Sequence, residues 1–511
     1  MTRAGARRLI VWILVSQLAA APALAAQLPA GTPVSETAPH LAVTAQSINI
    51  GGHVLRYTAT AGDEVLRDDT GKAQAEMFFV AYTEQNVPDE TKRPLTFAFN
   101  GGPGASSVLL NLGALGPKYV RLSDDGRPLS PTARWVDNPS TWLGFTDLVF
   151  IDAVGTGFSR AAPGVPDATF YRPDGDARSF AQFIGLYVTT NRRDASPKFV
   201  AGESYGGTRA IILARLLQNT GTTSLNGLIL ISPVIDFETL NTQFRNPSRS
   251  TDLAYALDIP TYAATAWYHK KLGPGLPADL ESVVREAERW SITEYLPALV
   301  EGDALTEGAR DGIARTLSQY TGVPEAVILA HQLRLLPGTF RQELLRDRQL
   351  EVSGSDGRIV FDPRAASLFT TDALLKPLGS VFERYAQDEL GYRANGAYEA
   401  LSGKVGRAWD WSVGGVTGFL NVAGDLQQSL QQNANMRVLV TLGYYDLTVP
   451  YAGTDYALNH LQLDPATQGH VISRYYESGH MIYTSQAVLE KFTADASAFV
   501  ADALSAARPR P

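Results

Sequence analysis

A serine hydroxyl is a poor nucleophile until a base removes its proton. Gly202-Glu203-Ser204-Tyr205-Gly206 places one serine where that chemistry is done. The segment reads G-x-S-x-G. The apolar run Pro197 to Ala201 precedes it, and Thr208 to Leu217, with apolar residues at helical spacing, follows. A strand, a sharp turn and a helix in that order make a nucleophile elbow, which lifts the hydroxyl out of a sheet. The chemistry this predicts is acyl transfer through Ser204.

The base must come from seven histidines, His40, His53, His269, His331, His460, His470 and His480. In an elbow-type hydrolase the acid and then the histidine follow the serine along the chain, which leaves the last five. His269 and His331 fall in a helical insertion, His460 in a helical pattern and His470 at the start of a strand. His480, in Glu477-Ser478-Gly479-His480-Met481, falls in a loop between a strand and the last helix. That loop is where a base reaches a serine at the carboxyl edge of a parallel sheet. The orienting acid is expected after the preceding strand, Val438 to Leu442, and Asp446 lies in its exit loop. A carboxylate there fixes the imidazole tautomer and stabilises the imidazolium. Developing negative charge needs backbone N–H donors. One is expected from Tyr205, and another from the glycine-rich loop Asn100 to Ser107 after strand Leu95 to Phe99. That loop lacks the G-K-[ST] ending of a phosphate cradle.

These groups need a parallel sheet to hold them. Leu95–Phe99, Leu148–Asp152, the strand before Ser204, Leu228–Ile231 and Val438–Leu442 are continuous apolar runs separated by helical patterns. They predict an α/β fold with a mostly parallel central sheet and helices on both faces. Earlier strand-like segments run Gln46–Ile50, His53–Ala59 and Ala75–Tyr82, with Gly51-Gly52 as a hairpin turn. Residues 237–405 read as a mainly helical cap insertion between core parts 46–236 and 406–511, with a final helix from Ser485 to Leu504. Residues 26–45 read as a loose arm. Arg3, Arg7 and Arg8, the apolar run Leu9 to Leu18 and Ala23-Leu24-Ala25 predict a cleaved export signal over residues 1–25, short and alanine-rich in the bacterial manner. The expected location is the periplasm or the medium.

The 511 residues carry a net charge of −8, with no basic run of the kind that binds nucleic acid. Cysteine is absent, which excludes disulfides, thiol nucleophiles and thiolate metal sites. No His/Asp/Glu cluster at ligand spacing predicts a metal, and no later run is apolar enough to cross a bilayer. No cofactor is expected.

Taken together the motifs resemble the serine carboxypeptidase family. The matching segments are Asn100-Gly101-Gly102-Pro103-Gly104-x-Ser106-Ser107, Asn138-Pro139 with Trp142, Gly155-x-Gly157-Phe158-Ser159, the elbow, Gly443-x-x-Asp446-x-x-x-Pro450, and Gly479-His480-Met481. They run in order from about residue 95 to 483. The resemblance implies an α/β-hydrolase fold with a helical cap, and release of the C-terminal residue from peptides. It implies Ser204 as nucleophile, Asp446 as orienter and His480 as general acid/base. It implies Gly102 and Tyr205 N–H groups as the oxyanion hole, and Asn100, Gly101 and Glu203 as readers of the substrate carboxylate. Glu203 facing a carboxylate is repulsive unless one of them is protonated, so acidic pH should favour the peptidase. The chain departs from the family at Ala114, where a second glutamate is usual, at Ala105, where a cysteine is usual, and at Ile482-Tyr483, where a proline is usual. An esterase or acyltransferase would use the same triad with another acceptor or leaving group. A binding module that kept the fold would not keep all three.

Overall fold

The computed structural model describes residues 40–123, 130, 132–221, 223–243, 251–412 and 418–506. The expected export signal and residues 26–39 of the expected arm lie outside them. The central sheet is built from β1 (Leu41–Ile50), β2 (His53–Arg67), β3 (Ala73–Glu84), β4 (Leu95–Phe99), β5 (Asp147–Ile151), β6 (Lys198–Glu203), β7 (Gly227–Ile231), β8 (Arg437–Gly443) and β9 (Val471–Tyr476). Their spatial order is β1-β2-β3-β5-β4-β6-β7-β8-β9, with a two-residue strand, Arg160–Ala161, beside β3. From β5 to β9 every neighbour is parallel; β1, β2 and β3 form an antiparallel extension. The expected α/β-hydrolase architecture is present.

The apolar strands are buried because both faces are covered. Alternate residues of β4 to β8 enter opposite cores. Phe97, Phe99, Val200, Leu228 and Val438 face one way with α1 (Pro173–Thr190) and α2 (Tyr205–Thr220). Ala98, Phe199, Ala201, Ile229 and Leu439 face the other. The sequence expectation for the arm is corrected at its end. Residues 41–45 belong to β1 and pair with Thr58 to Gly62; Ala42 and Thr44 are half-buried and alternate with exposed residues, as in a strand with one covered face.

The 237–405 stretch divides by packing. Helices α3 (Leu253–Tyr268), α4 (Leu280–Trp290) and α5 (Glu307–Thr321) share a separate core with residues up to Val352, through Tyr262, Val283, Trp290 and Leu317. Helix α6 (Thr371–Asp388) instead buries Leu375, Leu378, Phe382 and Tyr385 in the second core of the main sheet, together with α7 (Gln486–Ala506). The cap core is therefore the 253–352 part of the insertion. Helical periodicity alone could not separate the two parts, because both are amphipathic. Among the described residues no helix is long and apolar enough to cross a membrane.

Candidate active site

Four loops leave the carboxyl ends of β4, β6, β8 and β9 on one edge of the sheet. Chain order reverses across β4, whose neighbours are β5 and β6, and a crevice opens at such a point. Ser204 follows β6, next to β4, with φ 59° and ψ −127°. A non-glycine residue there is strained, by about 1–3 kcal/mol. The surrounding bonds impose it: Ser204 N donates to Ile231 O at 2.9 Å, and Gly207 N donates back to Ser204 O at 2.8 Å. Ser204 remains partly exposed while Tyr205 and Glu203 are buried.

The expected acid and base meet. Asp446 Oδ2 lies 2.7 Å from His480 Nδ1. Its other oxygen accepts from Thr448 N at 2.9 Å and Val449 N at 2.8 Å, and the side chain is 1% exposed. One oxygen thus braces the Asp446–Val449 turn while the other holds the His480 ring. Burial acts most strongly on the His480 pKa and lowers it. The charge and hydrogen bond of Asp446, then the charge of Glu203, more than offset this, and the net shift is upward.

The glycine-rich loop packs directly on the elbow. A Cβ on Gly101 would collide with Gly206 N and lie 2.7 Å from Tyr205 N, so only glycine lets these backbones meet. Gly102 follows with φ 101°. Arg209, from α2, donates to Asn100 O at 2.8 Å and to Asp176 Oδ2 at 2.7 Å, with its guanidinium 4.5 Å from the Phe180 ring centre. Asp176 also accepts from the Tyr205 hydroxyl at 3.0 Å. The far side of the loop is held by Asp152, which accepts from Ser107 N at 2.8 Å and from the Tyr398 hydroxyl at 3.2 Å.

Beside Ser204, Glu203 is 3% exposed and its Oε2 accepts from Asn100 Nδ2 and from the Tyr483 hydroxyl, the latter at 2.7 Å. Asn100 Oδ1 accepts from Leu110 N at 3.0 Å, which fixes the amide. Burial pushes the Glu203 carboxyl up to about 7. The nearby His480 and the bonds from Tyr483 and Asn100 oppose this; the Asp446 charge adds to it.

The structure adds contacts to the His480 and Asp446 loops that the sequence did not reveal. Ser232 Oγ donates to His480 O at 2.8 Å. A turn at the end of the cap, Ser353 to Arg358, ties the Asp446 and His480 loops together. Ser355 O accepts from His480 N at 2.7 Å, Asp356 Oδ2 accepts from Gly479 N at 3.0 Å, and Tyr445 O accepts from Gly357 N at 2.8 Å. A side chain on Gly479 would strike Ser355 O and lie 2.5 Å from Asp356 Cα. Arg358 holds Asp356 at 2.6 Å and stacks 5.2 Å from the Tyr445 ring centre. The sequence carried no signal for this turn, about 120 residues before His480. Tyr483 was visible only as a departure from a motif. Of the cap aromatics, Trp290 is core, whereas Tyr268 is exposed and stands 5.6 Å from the Tyr445 ring. Among the described residues no group of three or more His, Cys, Asp or Glu could hold a metal.

Residues 67–262 match the family model described as serine carboxypeptidase. A carboxypeptidase Y homolog from Arthroderma benhamiae is 30% identical over 171 residues, 33% of this chain and 31% of that protein. The pheromone-processing carboxypeptidase KEX1 of Yarrowia lipolytica is 33% identical over 143 residues, 27% of this chain and 22% of that protein. The chain thus spans less than a third of the length of the curated relatives it matches. The crystal structure of the prohormone-processing carboxypeptidase Kex1 from Saccharomyces cerevisiae superposes with a TM-score of 0.57 at 17% identity, covering 87% of this chain and 92% of that one. Over residues 67–262 the chain is related in sequence to the serine carboxypeptidases, and it carries that segment within an α/β-hydrolase fold.

Proposed function

We propose that the chain is a serine-type carboxypeptidase that releases C-terminal residues from peptides. Ser204 attacks the scissile carbonyl while His480 takes its proton, and Asp446 holds the imidazole and stabilises its charged form. The tetrahedral oxyanion is received by the N–H groups of Gly102 and Tyr205. His480 then protonates the leaving amine, and water repeats the sequence on the acyl-enzyme. The leaving residue carries a free carboxylate, which Asn100, the Gly101 N–H and Glu203 receive.

The observation that carries this reading is Glu203, a buried carboxyl with a pKa of about 7 next to the nucleophile. A protonated carboxyl donates a hydrogen bond to a carboxylate, whereas an ionised one repels it. Glu203 and His480 also feel each other's charge, so their protons are coupled. A substrate carboxylate beside Glu203 draws the proton onto it and leaves His480 neutral, which is the state the attack needs.

The test is cleavage of a blocked dipeptide with a free C-terminal carboxylate against its C-terminal amide, from pH 4 to 8. Preference for the free acid that grows toward low pH supports the reading. Equal cleavage of both, or reaction with esters alone, replaces it with an esterase or acyltransferase using the same triad. Export belongs to the same proposal. It rests on the basic, apolar and A-x-A segments of residues 1–25, whose short alanine-rich form is of bacterial type, although the relatives named above are fungal. Peptides are the proposed partners, without nucleic acid.

A further inference from the structure

The loop that delivers His480 also delivers a second polar group to the elbow. Three residues on, Tyr483 is 2% exposed and its hydroxyl donates to Glu203 Oε2 at 2.7 Å. The two contacts run in parallel: Glu203 and Ser204 are adjacent on the elbow, and Tyr483 and His480 share one loop. The Tyr483 ring reaches the glycine-rich loop's helix, where a Cβ on Gly113 would lie 3.8 Å from Tyr483 Cε2. Asn100 Nδ2 donates to the same Glu203 oxygen. Two donors on Oε2 fix the carboxyl plane and leave Oε1 as the oxygen to meet a ligand.

We propose that Tyr483 is a specificity-determining residue: by donating to Glu203 it orients that carboxyl toward the substrate's C-terminal carboxylate and sets the pH range over which free acids are preferred. This rests on the carboxypeptidase reading above. A hydroxyl donor stabilises the ionised carboxyl over the neutral one. The charged and titratable groups around Glu203 are His480 and Tyr483, from one loop, and Asp446, from another. Of these, Tyr483 can lose its hydroxyl and keep its ring. Removing the donor favours the protonated form of Glu203, the form that accepts a carboxylate neighbour.

The experiment compares wild type, Tyr483→Phe, Glu203→Gln and the double variant on the free-acid and amide dipeptides from pH 4 to 8. The readout is the ratio of kcat/KM for acid over amide, in which any general loss of folded enzyme cancels. In Tyr483→Phe the fall of this ratio with rising pH is expected to move upward by about one pH unit, the size expected for one hydrogen bond to a charged group. Glu203→Gln should flatten that fall, and adding Tyr483→Phe to it should move nothing further. A Tyr483→Phe profile that overlays wild type, or one that shifts equally in the Glu203→Gln background, overturns the proposal. A wild-type ratio near one at every pH overturns the carboxypeptidase reading itself, and is a distinguishable result.

Discussion

Burying Glu203 has a cost that depends on pH, and the substitution Glu203→Gln measures it. The carboxyl is raised from 4.5 to about 7 in the folded protein, chiefly by burial. Below about pH 4.5 it is protonated in both folded and unfolded chains and adds nothing to the pH dependence. Between 4.5 and about 7 the unfolded chain releases the proton while the folded protein keeps it. The folded state then binds more protons, so stability falls as pH rises. Above about 7 the whole cost is present. A pKa unit corresponds to about 1.4 kcal/mol, so the rise is worth at most roughly 3.5 kcal/mol. Glutamine has the same shape, keeps an oxygen for Tyr483 and Asn100, and does not titrate. Asp152, Asp258 and Asp455 are also raised to about 7, but they are common to both proteins and cancel. Urea denaturation of wild type and variant at steps from pH 4 to 8 should give a stability difference that moves in the variant's favour by roughly 3 kcal/mol across the range. A difference that stays constant within about 0.5 kcal/mol, or moves the other way, would show that the Glu203 pKa is not raised in the folded protein. Glu203 would then be ionised near neutral pH and would repel a substrate carboxylate.

Two further outcomes follow from the geometry. Asp446→Asn keeps the shape at His480 but supports the wrong tautomer, and kcat should fall by roughly 10³- to 10⁴-fold; steady-state kinetics check this, and a loss under tenfold would remove Asp446 from the triad. Asp356→Ala removes the acceptor of the Gly479 N–H, a loss of about 1–3 kcal/mol in stability. It also loosens the His480 loop, so kcat should fall by roughly 10- to 100-fold at unchanged fluorophosphonate labelling stoichiometry; unchanged kcat would reduce the cap turn to a packing element.

The placement of the candidate residues was legible in the sequence where one short segment carries both the residue and the backbone that presents it. The elbow is such a segment: apolar strand, Ser204 between glycines, helix. Asp446 and His480 could be placed because a parallel sheet sends every strand exit to the same edge, so position after a strand fixes position in space. The strand set was legible for a related reason, since β4 to β8 are buried on both faces and therefore continuously apolar. Residues 41–45 were misplaced in a loose arm because an edge strand half open to solvent carries a weaker signal.

Only the tertiary structure decided what surrounds the triad. Tyr483 and Glu203 are 280 positions apart and meet because β6 and β9 end on the same edge. Asp356 reaches Gly479 across 123 positions, from a cap whose helices announce their amphipathic faces but not their partners. The division of the insertion between α3–α5 and α6 is of the same kind. Periodicity records that a helix buries one side; which surface it is buried against depends on chain segments that no local pattern encodes.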